Sequence, residues 1–406
     1  MRGFTTALQT IKAPAIGIPR CGACGLLKLC QHPKMAVTGE GKRRVLLVGE
    51  VPGLNEDAQN KQFVGKAGKF LRRTLHSIGV EPDTDCWFTN AVICCTTTPG
   101  GKIRNPTDNE IGFCRPNLTN TLNALKPDVV ILLGGVAIKS LIGMIWKEDL
   151  GKDSVGKWVG WKIPSHKPCA WICPTWHPSF LVRSDEDPVL VRIFTKHLED
   201  AFALSGKPWG GRSPDYKAKV RVVLNPADAA QHVYKFIDNG KPVAWDLETT
   251  TLKPDGPDAE IVCCSVSDGD TSVAFPWHGE AIEATLELLG CEVPKIGFNE
   301  KFERRWILAQ HGKRVKRCGH DGMLATHVMD NRSGICSLKF QAFVRLGVGP
   351  YEEHIKPYFQ TKTKSGNEKN RIRECPLPQL LEYCALDSLF EWEVGNLQAR
   401  EMGIVL

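Results

Sequence analysis

The feature that most constrains this chain is the stretch at residues 45–75, VLLVGEVPGLNEDAQNKQFVGKAGKFLRRTL, which joins a strand to a helix. Four consecutive apolar residues at 45–48 are typical of a buried strand, and the GEVPG segment then turns the chain sharply. Apolar residues return at helical spacing between residues 67 and 78. The loop between them leaves the carboxyl end of a strand, where α/β proteins bind ligands, so we predict a ligand site there. An ordinary connection with solvated acidic residues is the alternative.

Two later segments repeat the strand–turn–helix pattern. Residues 129–133 are an apolar run followed by GGVAIKSLIGMI, and the strand at 170–174 leads into the turn that carries His177 and Pro178. Alternation of strands and helices predicts a parallel sheet with helices on both faces. The first half of the chain is therefore predicted to be an α/β domain.

Length and local composition predict two domains. At 406 residues the chain is longer than one hydrophobic core usually serves. Residues 205–216, SGKPWGGRSPDY, concentrate glycine, proline and serine and interrupt every periodicity, which is typical of a linker. We therefore predict domains at residues 1–204 and 217–406.

Composition limits the compartment and the class of partner. The formal charge of +7 permits a polyanionic partner without requiring one. Because no apolar run approaches the roughly 18 residues of a membrane span and the N-terminus lacks a signal-peptide core, we expect a cytoplasmic protein without membrane association. Sixteen cysteines are many for a reducing compartment, where clustered thiols usually bind metal.

Cysteines from distant segments form a candidate metal site. Cys21 and Cys24 form a CxxC pair, Cys94 and Cys95 follow a strand, and Cys114 lies in a later helix. Four thiolates suit either a [4Fe–4S] cluster or a tetrahedral zinc ion. Spacing alone leaves open iron–sulfur, zinc and unligated buried cysteines.

The motifs of the first half resemble those of the iron–sulfur uracil-DNA glycosylases of family 4. In chain order they are GEVPGLNED with QFVGKAG, TNAVICC, CRPNL and HPSFLVR. The resemblance implies a glycosylase-like α/β domain that flips uracil out of DNA and excises it. It also implies that a [4Fe–4S] cluster is held by Cys21, Cys24 and Cys114, with Cys94 preferred over Cys95 as the fourth ligand.

The same resemblance implies roles for side chains around the base. Glu50 or Asp57 would position water or stabilise the sugar cation. His177, presented from a stiff turn, would donate a hydrogen bond to the uracil carbonyl that gains negative charge. The implied substrate contacts are Phe63 stacking on uracil, Asn90 bonding its edge, Phe180 or Leu181 as an apolar wedge, and Arg183 on a phosphate.

One loop departs from the family pattern. The chain has CTTTPGGKIRNP where these glycosylases have Arg-Pro-Pro and a short loop, and Thr107 with Glu110 then forms a capping box at the start of a helix. This departure motivates a second hypothesis. The first domain would then be a non-catalytic module that reads modified or uracil-containing DNA, with a purely structural cluster.

The second half carries acidic residues in an arrangement that suits divalent metals. In PVAWDLETT, Asp246 and Glu248 lie two apart and project from one face of a strand. Glu303 lies in a helix that follows a short strand, and Tyr383 and Asp387 share a helical face at i and i+4. Four such carboxylates can hold two Mg²⁺ or Mn²⁺ ions about 3.5–4 Å apart, an arrangement that hydrolyses phosphodiesters.

The order DLE, N-KF-E and YCALD resembles the tyrosine-type DEDD 3′–5′ exonucleases, such as the proofreading domain of DNA polymerase I. The match spans about residues 220–400. It implies a ribonuclease H-like α/β domain with a mixed sheet, acting on single-stranded or frayed 3′ ends. In that resemblance Asp246, Glu248 and Asp387 bind metal, Glu303 replaces an aspartate ligand, and Tyr383 orients the attacking water. Asp321 would be structural.

The two resemblances together suggest a bifunctional, phage-like enzyme of DNA replication or repair. The pairing resembles the N-terminal regions of some phage DNA polymerases. Because no polymerase domain precedes Leu406, we expect a separately encoded polymerase as a partner, in the host cytoplasm if the protein is phage-encoded.

Overall fold

The computed structural model describes residues 21–98, 100–146, 154–207, 209, 214–363 and 366–406. The chain divides into two compact units, Met1–Arg212 and Ser213–Leu406. Residues 208 and 210–213 of the predicted linker lie outside the described residues. None of the described helices is both long and apolar enough to cross a membrane.

The first unit is a layered α/β fold around a five-stranded sheet. Its strands are β1 (Val45–Gly49), β2 (Cys86–Asn90), β3 (Val129–Leu133), β4 (Ile163–Ser165) and β5 (Ala170–Thr175). Its helices are α1 (Leu54–Gln59), α2 (Lys66–Ser77), α3 (Pro82–Asp85), α4 (Asp108–Leu125), α5 (Gly135–Ile145), α6 (Ser154–Trp158), α7 (Pro178–Arg183) and α8 (Pro188–Phe202). The sheet order is β2-β1-β3-β5-β4, parallel except for the edge strand β4.

This architecture confirms the predicted α/β fold and parallel central sheet. Every residue of β1 and β3 is buried, because helices cover both faces of the sheet. The predicted capping box is present, with the Thr107 hydroxyl accepting from the backbone N–H of Glu110 and the Glu110 carboxylate accepting from that of Thr107.

The carboxyl ends of the parallel strands meet at one edge of this sheet. Gly49 and Asn90 are paired at the ends of β1 and β2. Gly134, directly after β3, has φ +92°, and a Cβ there would lie 2.5 Å from Glu50 Oε1 and 2.8 Å from His177 Cβ. Only glycine fits this position, which lets the strand ends bring Glu50 and His177 together.

The second unit is built on a six-stranded mixed sheet. Its strands are β6 (Val220–Val222), β7 (Val243–Thr249), β8 (Ile261–Ser267), β9 (Ser272–Pro276), β10 (Lys295–Gly297) and β11 (Cys318–Asp321). Its helices are α9 (Pro226–Asn239), α10 (Glu280–Gly290), α11 (Glu300–His311), α12 (Gly322–Met329), α13 (Leu338–Leu346), α14 (Lys356–Phe359) and α15 (Leu377–Met402). The order is β11-β10-β7-β8-β9-β6, with β8 antiparallel to both β7 and β9.

Two faces of this sheet are covered differently. Val243, Trp245 and Leu247 of β7 point into the apolar core shared with α9, α10 and α11. The period of two along a strand therefore turns Asp246 and Glu248 toward the opposite face, where α15 packs. The predicted mixed sheet of the second domain is confirmed.

Candidate active sites in the two units

A cavity of about 380 Å³ lies at the carboxyl ends of the parallel strands in the first unit. Its lining includes five of the side chains that the sequence motifs single out, namely Glu50, Phe63, Asn90, His177 and Arg183. The structure thus brings together residues that are up to 133 positions apart in the chain, from Glu50 to Arg183.

Phe63 is held in an uncommon backbone conformation. Its φ is +52° and the side chain is 6% exposed. Glu56 fixes this turn, because its Oε1 accepts from the backbone N–H groups of Val64 at 2.9 Å and Gly65 at 2.7 Å. A strained bulky residue at a cavity wall is typical of a functional position, since the surroundings must maintain it.

Asn90 has a fixed amide orientation. Its Nδ2 donates to Gln62 Oε1 at 2.6 Å, and Gln62 Nε2 donates in turn to the carbonyl of Ala36 at 3.1 Å. Gln62 is completely buried and was not among the predicted site residues. An amide has two donor hydrogens and an acceptor oxygen, so Asn90 retains one donor and one acceptor for a ligand.

His177 has a defined tautomer. The backbone N–H of Ser179 donates to His177 Nδ1 at 3.2 Å, and Ser179 Oγ lies 2.7 Å from the same nitrogen. Burial lowers the pKa of His177, so the imidazole is neutral near pH 7. Because Nδ1 accepts hydrogen bonds, the proton lies on Nε2. Arg183 Nη1 donates to Ser179 Oγ at 3.0 Å and steadies this arrangement.

Two predicted residues do not line the cavity. Both carboxylate oxygens of Asp57 accept backbone N–H groups, from Gln31 and His32, each at 2.8 Å. Asp57 therefore fastens the N-terminal segment to α1, and of the two predicted acids Glu50 is the one that faces the cavity. The placement of Leu181 as a substrate contact needs correction, because it is completely buried in the core, whereas its alternative Phe180 is 37% exposed.

The loop that departs from the family pattern forms part of the cavity wall. Apart from residue 99, it is a short hairpin in which Thr97 bridges Ile103. Arg104 then makes two contacts to Glu110, at 2.8 and 2.6 Å. Residues 103–106 line the cavity. The changed sequence thus alters one wall of the site and leaves the cavity intact.

The predicted cysteine ligands converge beside an apolar cluster. Cys94 and Cys114 are buried there, and Cys24 packs against them. Burial, followed by the neighbouring thiols of Cys94, Cys24 and Cys21, raises the pKa of the Cys114 thiol to about 11. Cys95 instead lies beside Asp57 and Glu56, and the charges of these residues add to the effect of burial in raising the pKa of its thiol.

The chemistry of this cysteine set fits an inorganic cluster. The backbone N–H of Lys34 donates to Cys94 Sγ at 3.3 Å, a contact that favours a thiolate. Four cysteine thiolates of this kind suit a [4Fe–4S] cluster or a tetrahedral zinc ion.

The second unit gathers the predicted carboxylates under α15. Asp387 Oδ2 accepts from Lys339 Nζ at 2.5 Å, and its other oxygen accepts from the Tyr351 hydroxyl. Burial, followed by the charge of Asp387, raises the pKa of Asp246 to about 7. Burial and the charge of Asp246 raise the pKa of Glu248 well above its ordinary range. The oxygens that Asp246 and Glu248 offer lie within 4.8 Å of each other and of Cys384 Sγ, so these two carboxylates face one another.

Glu303 and Tyr383 join the same group. Glu303 is 5% exposed, and burial followed by the charge of Asp246 raises its pKa. Its Oε2 has no hydrogen-bond partner among the described residues. Burial, and then the charges of Asp387 and Glu248, raise the pKa of the Tyr383 phenol. A buried, unpartnered carboxylate beside other carboxylates fits a site for hard divalent cations.

Lys339 is a site residue that the sequence analysis missed. Its ammonium lies 5.0 Å from the ring centre of Tyr383 and 5.5 Å from that of Tyr351, in addition to its bond with Asp387. The signal for it is a lone lysine within the otherwise apolar start of α13, where Leu338 and Phe340 are buried. It supplies a positive charge among the carboxylates.

Family models match both units of the chain. The model of the uracil DNA glycosylase superfamily matches residues 37–202, and that of a 3′–5′ exonuclease matches residues 222–395. A type-4 uracil-DNA glycosylase of Saccharolobus solfataricus is 35% identical over 198 residues, which are 47% of this chain and 85% of that protein.

Two polymerases are similar to this chain. The DNA polymerase of Bacillus phage SP01 is 26% identical over 363 residues, covering 80% of this chain and 37% of the polymerase. DNA polymerase I of Synechocystis is 26% identical over 188 residues, covering 42% of this chain and 18% of the polymerase. The chain therefore belongs to the type-4 uracil-DNA glycosylase family through its first half, and joins that domain to a 3′–5′ exonuclease domain.

Proposed function

We propose that the chain is a bifunctional DNA-processing enzyme, which hydrolyses DNA from the 3′ end by a two-metal mechanism and excises uracil from DNA. The main support for the proposal is the group of buried carboxylates formed by Asp246, Glu248, Glu303 and Asp387, of which Asp246 and Glu248 offer oxygens within 4.8 Å of each other. Similarity to a phage DNA polymerase over 80% of this chain supports a role in DNA replication or repair.

In the exonuclease site, the four carboxylates would hold two Mg²⁺ or Mn²⁺ ions. When bound there, such ions activate water and neutralise charge on the scissile phosphate. Tyr383 keeps its proton, because burial and the charges around it raise the pKa of the phenol. It can therefore orient the attacking water by hydrogen bonding. Lys339 supplies a fixed positive charge beside Asp387.

In the glycosylase site, each residue of the cavity has a defined task. Phe63 stacks on the flipped uracil, and the donor and acceptor of Asn90 match the imide edge of the base. His177 donates from Nε2 to the carbonyl oxygen that gains charge as the glycosidic bond breaks. Glu50 positions the water or stabilises the sugar cation, and Arg183 contacts a phosphate.

The thiolates of Cys21, Cys24, Cys94 and Cys114 would hold a [4Fe–4S] cluster. Bound there, the cluster would tie the N-terminal segment to α4 and to the loop after β2. Asp57 makes a second connection to the same segment through Gln31 and His32. The cluster's role is then to support the cavity wall.

The exonuclease assignment predicts that Mg²⁺ and the protein release mononucleotides from 3′-labelled single-stranded DNA. Asp246→Ala should lower that rate by at least about 100-fold, since losing a ligand costs at least as much as losing a group that orients one. Asp258→Ala, which changes an exposed carboxylate in the same unit, should leave the rate unchanged. A wild-type rate in Asp246→Ala would contradict the assignment.

The raised pKa of Asp246, about 7 against an ordinary 3.8, predicts pH-dependent metal binding. Below pH 7 a cation must displace the proton, so Mn²⁺ affinity should rise with pH and level off above about 7. Without metal, the folded state holds a proton that the unfolded chain releases, so this group opposes folding increasingly as the pH rises from 3.8 to 7. Titration calorimetry in two buffers should show at least about one proton released at pH 6. An affinity independent of pH would contradict the geometry.

The glycosylase assignment predicts abasic sites in a uracil-containing oligonucleotide, detected by alkaline cleavage. His177→Ala should lower excision by at least about 100-fold, because an oxyanion donor is lost. His76→Ala, at an exposed histidine of the same unit, is the matched control. A wild-type protein that binds the oligonucleotide without excising uracil would establish the DNA-binding module instead.

The cluster assignment predicts a brown protein with broad visible absorbance when it is purified without oxygen. Cys94→Ser and Cys114→Ser should lose that absorbance, because each removes a ligand. Cys95→Ser should keep it, since Cys95 lies beside Asp57 and Glu56. A colourless wild type that contains zinc would contradict the proposal.

A further inference from the structure

Glu391 is a buried carboxylate for which neither motif accounts. It is 2% exposed, and its Oε2 has no hydrogen-bond partner among the described residues. Burial raises the pKa of this carboxyl, and the next contributions come from the charges of Asp246, Glu303 and Asp387. Burying such a group without a partner is costly, so its position requires an explanation.

The position of Glu391 follows from the face of α15 that meets the sheet. Asp387, Glu391 and Gly395 succeed one another at intervals of four residues and share that face. Gly395 lies against β10, where an added Cβ would be 2.6 Å from Ile296 Cγ2. Glu391 therefore lies between Asp387 and β10, and β10 leads into α11, which carries Glu303.

Glu303 and Glu391 are neighbouring acidic residues that share deep burial and an incomplete set of hydrogen bonds. Each has an Oε2 without a partner among the described residues, and each is at least nine-tenths buried. The positive charge that acts on Glu391 is that of Lys339, whose ammonium already bonds Asp387. Glu391 is the fifth carboxylate of this group. The single ammonium balances one of the five carboxylates, and two divalent cations would balance the other four.

We propose that Glu391 is a fifth carboxylate ligand of the metal centre and shares the second divalent cation with Glu303. This inference rests on the proposed two-metal function and extends its ligand set. In the resemblance to the tyrosine-type exonucleases Glu303 replaces an aspartate, and its extra methylene carries the carboxylate further from its helix. An oxygen ligand from the facing helix α15 completes the coordination of a cation placed there.

The test is Mn²⁺ binding to the full-length protein, followed by the electron paramagnetic resonance signal of free Mn²⁺. The wild type should bind two ions. Glu391→Gln should weaken the second ion by about tenfold or more and leave the first unchanged. Glu303→Gln should weaken the same ion, and the double variant should lose little more than either single variant, because both act on one site.

Glu300→Gln is the matched control. Glu300 is 5% exposed, lies on α11 and also has an unpartnered oxygen among the described residues, but its pKa is shifted by burial and then by Cys318, Arg304 and Asp321. The Glu300→Gln variant should bind two Mn²⁺ ions, as the wild type does. If Glu391→Gln is unstable, Glu391→Asp keeps the charge but withdraws the oxygens, and should weaken the second ion in the same way.

Two results separate the possible failures. Glu391→Gln or Glu391→Asp binding two Mn²⁺ ions with wild-type affinity would overturn the fifth-ligand proposal and leave the two-metal site standing. A wild type that binds no Mn²⁺ would instead overturn the proposed metal-dependent function itself. Loss of the second ion in Glu300→Gln as well would show a general effect of buried carboxylates and would also overturn the proposal.

Discussion

The concentration of negative charge between β7 and α15 is the constraint on which the second unit depends. Repulsion among buried carboxylates opposes folding, so the backbone that carries them must be held firmly. Ser265 and Ser272 do this from the sheet, each donating its hydroxyl to a carbonyl of α15 at 2.7 Å, at Cys384 and Ala385. These bonds lie within the turn that carries Tyr383 and Asp387. Lys339 then offsets part of the charge, and divalent cations would offset the rest.

The first unit places polar groups around a cavity of about 380 Å³. The carboxyl ends of parallel strands do most of this, because they open on the same edge of the sheet. Small residues allow the close approach, as at Gly49, where an added Cβ would lie 2.4 Å from Asn90 Oδ1. Among the residues that line the cavity, Phe63 has a positive φ, and Glu56 holds its turn.

Part of the second unit's site could be predicted from local patterns, whereas the cavity residues of the first unit were implied by the family resemblance. The period of two in β7 placed Asp246 and Glu248 on one face, and the spacing of four in α15 placed Tyr383 with Asp387. What the patterns do not contain is which hydrogen bonds are already made. Asp57 has the same acidic side chain as Glu50, but backbone N–H groups occupy both of its oxygens. Leu181 and Phe180 differ by one position on a short helix, and that step decides which is buried.

The partners that orient the site residues were also beyond prediction. Gln62 holds Asn90 and Lys339 holds Asp387 across 28 and 48 residues of sequence, and such contacts depend on tertiary packing. The two-metal centre can be tested by anomalous diffraction at the manganese edge from crystals grown with Mn²⁺. We expect two manganese peaks about 3.5–4 Å apart, coordinated by Asp246, Glu248, Glu303 and Asp387. The absence of manganese from this group, at a concentration that occupies other sites, would contradict it.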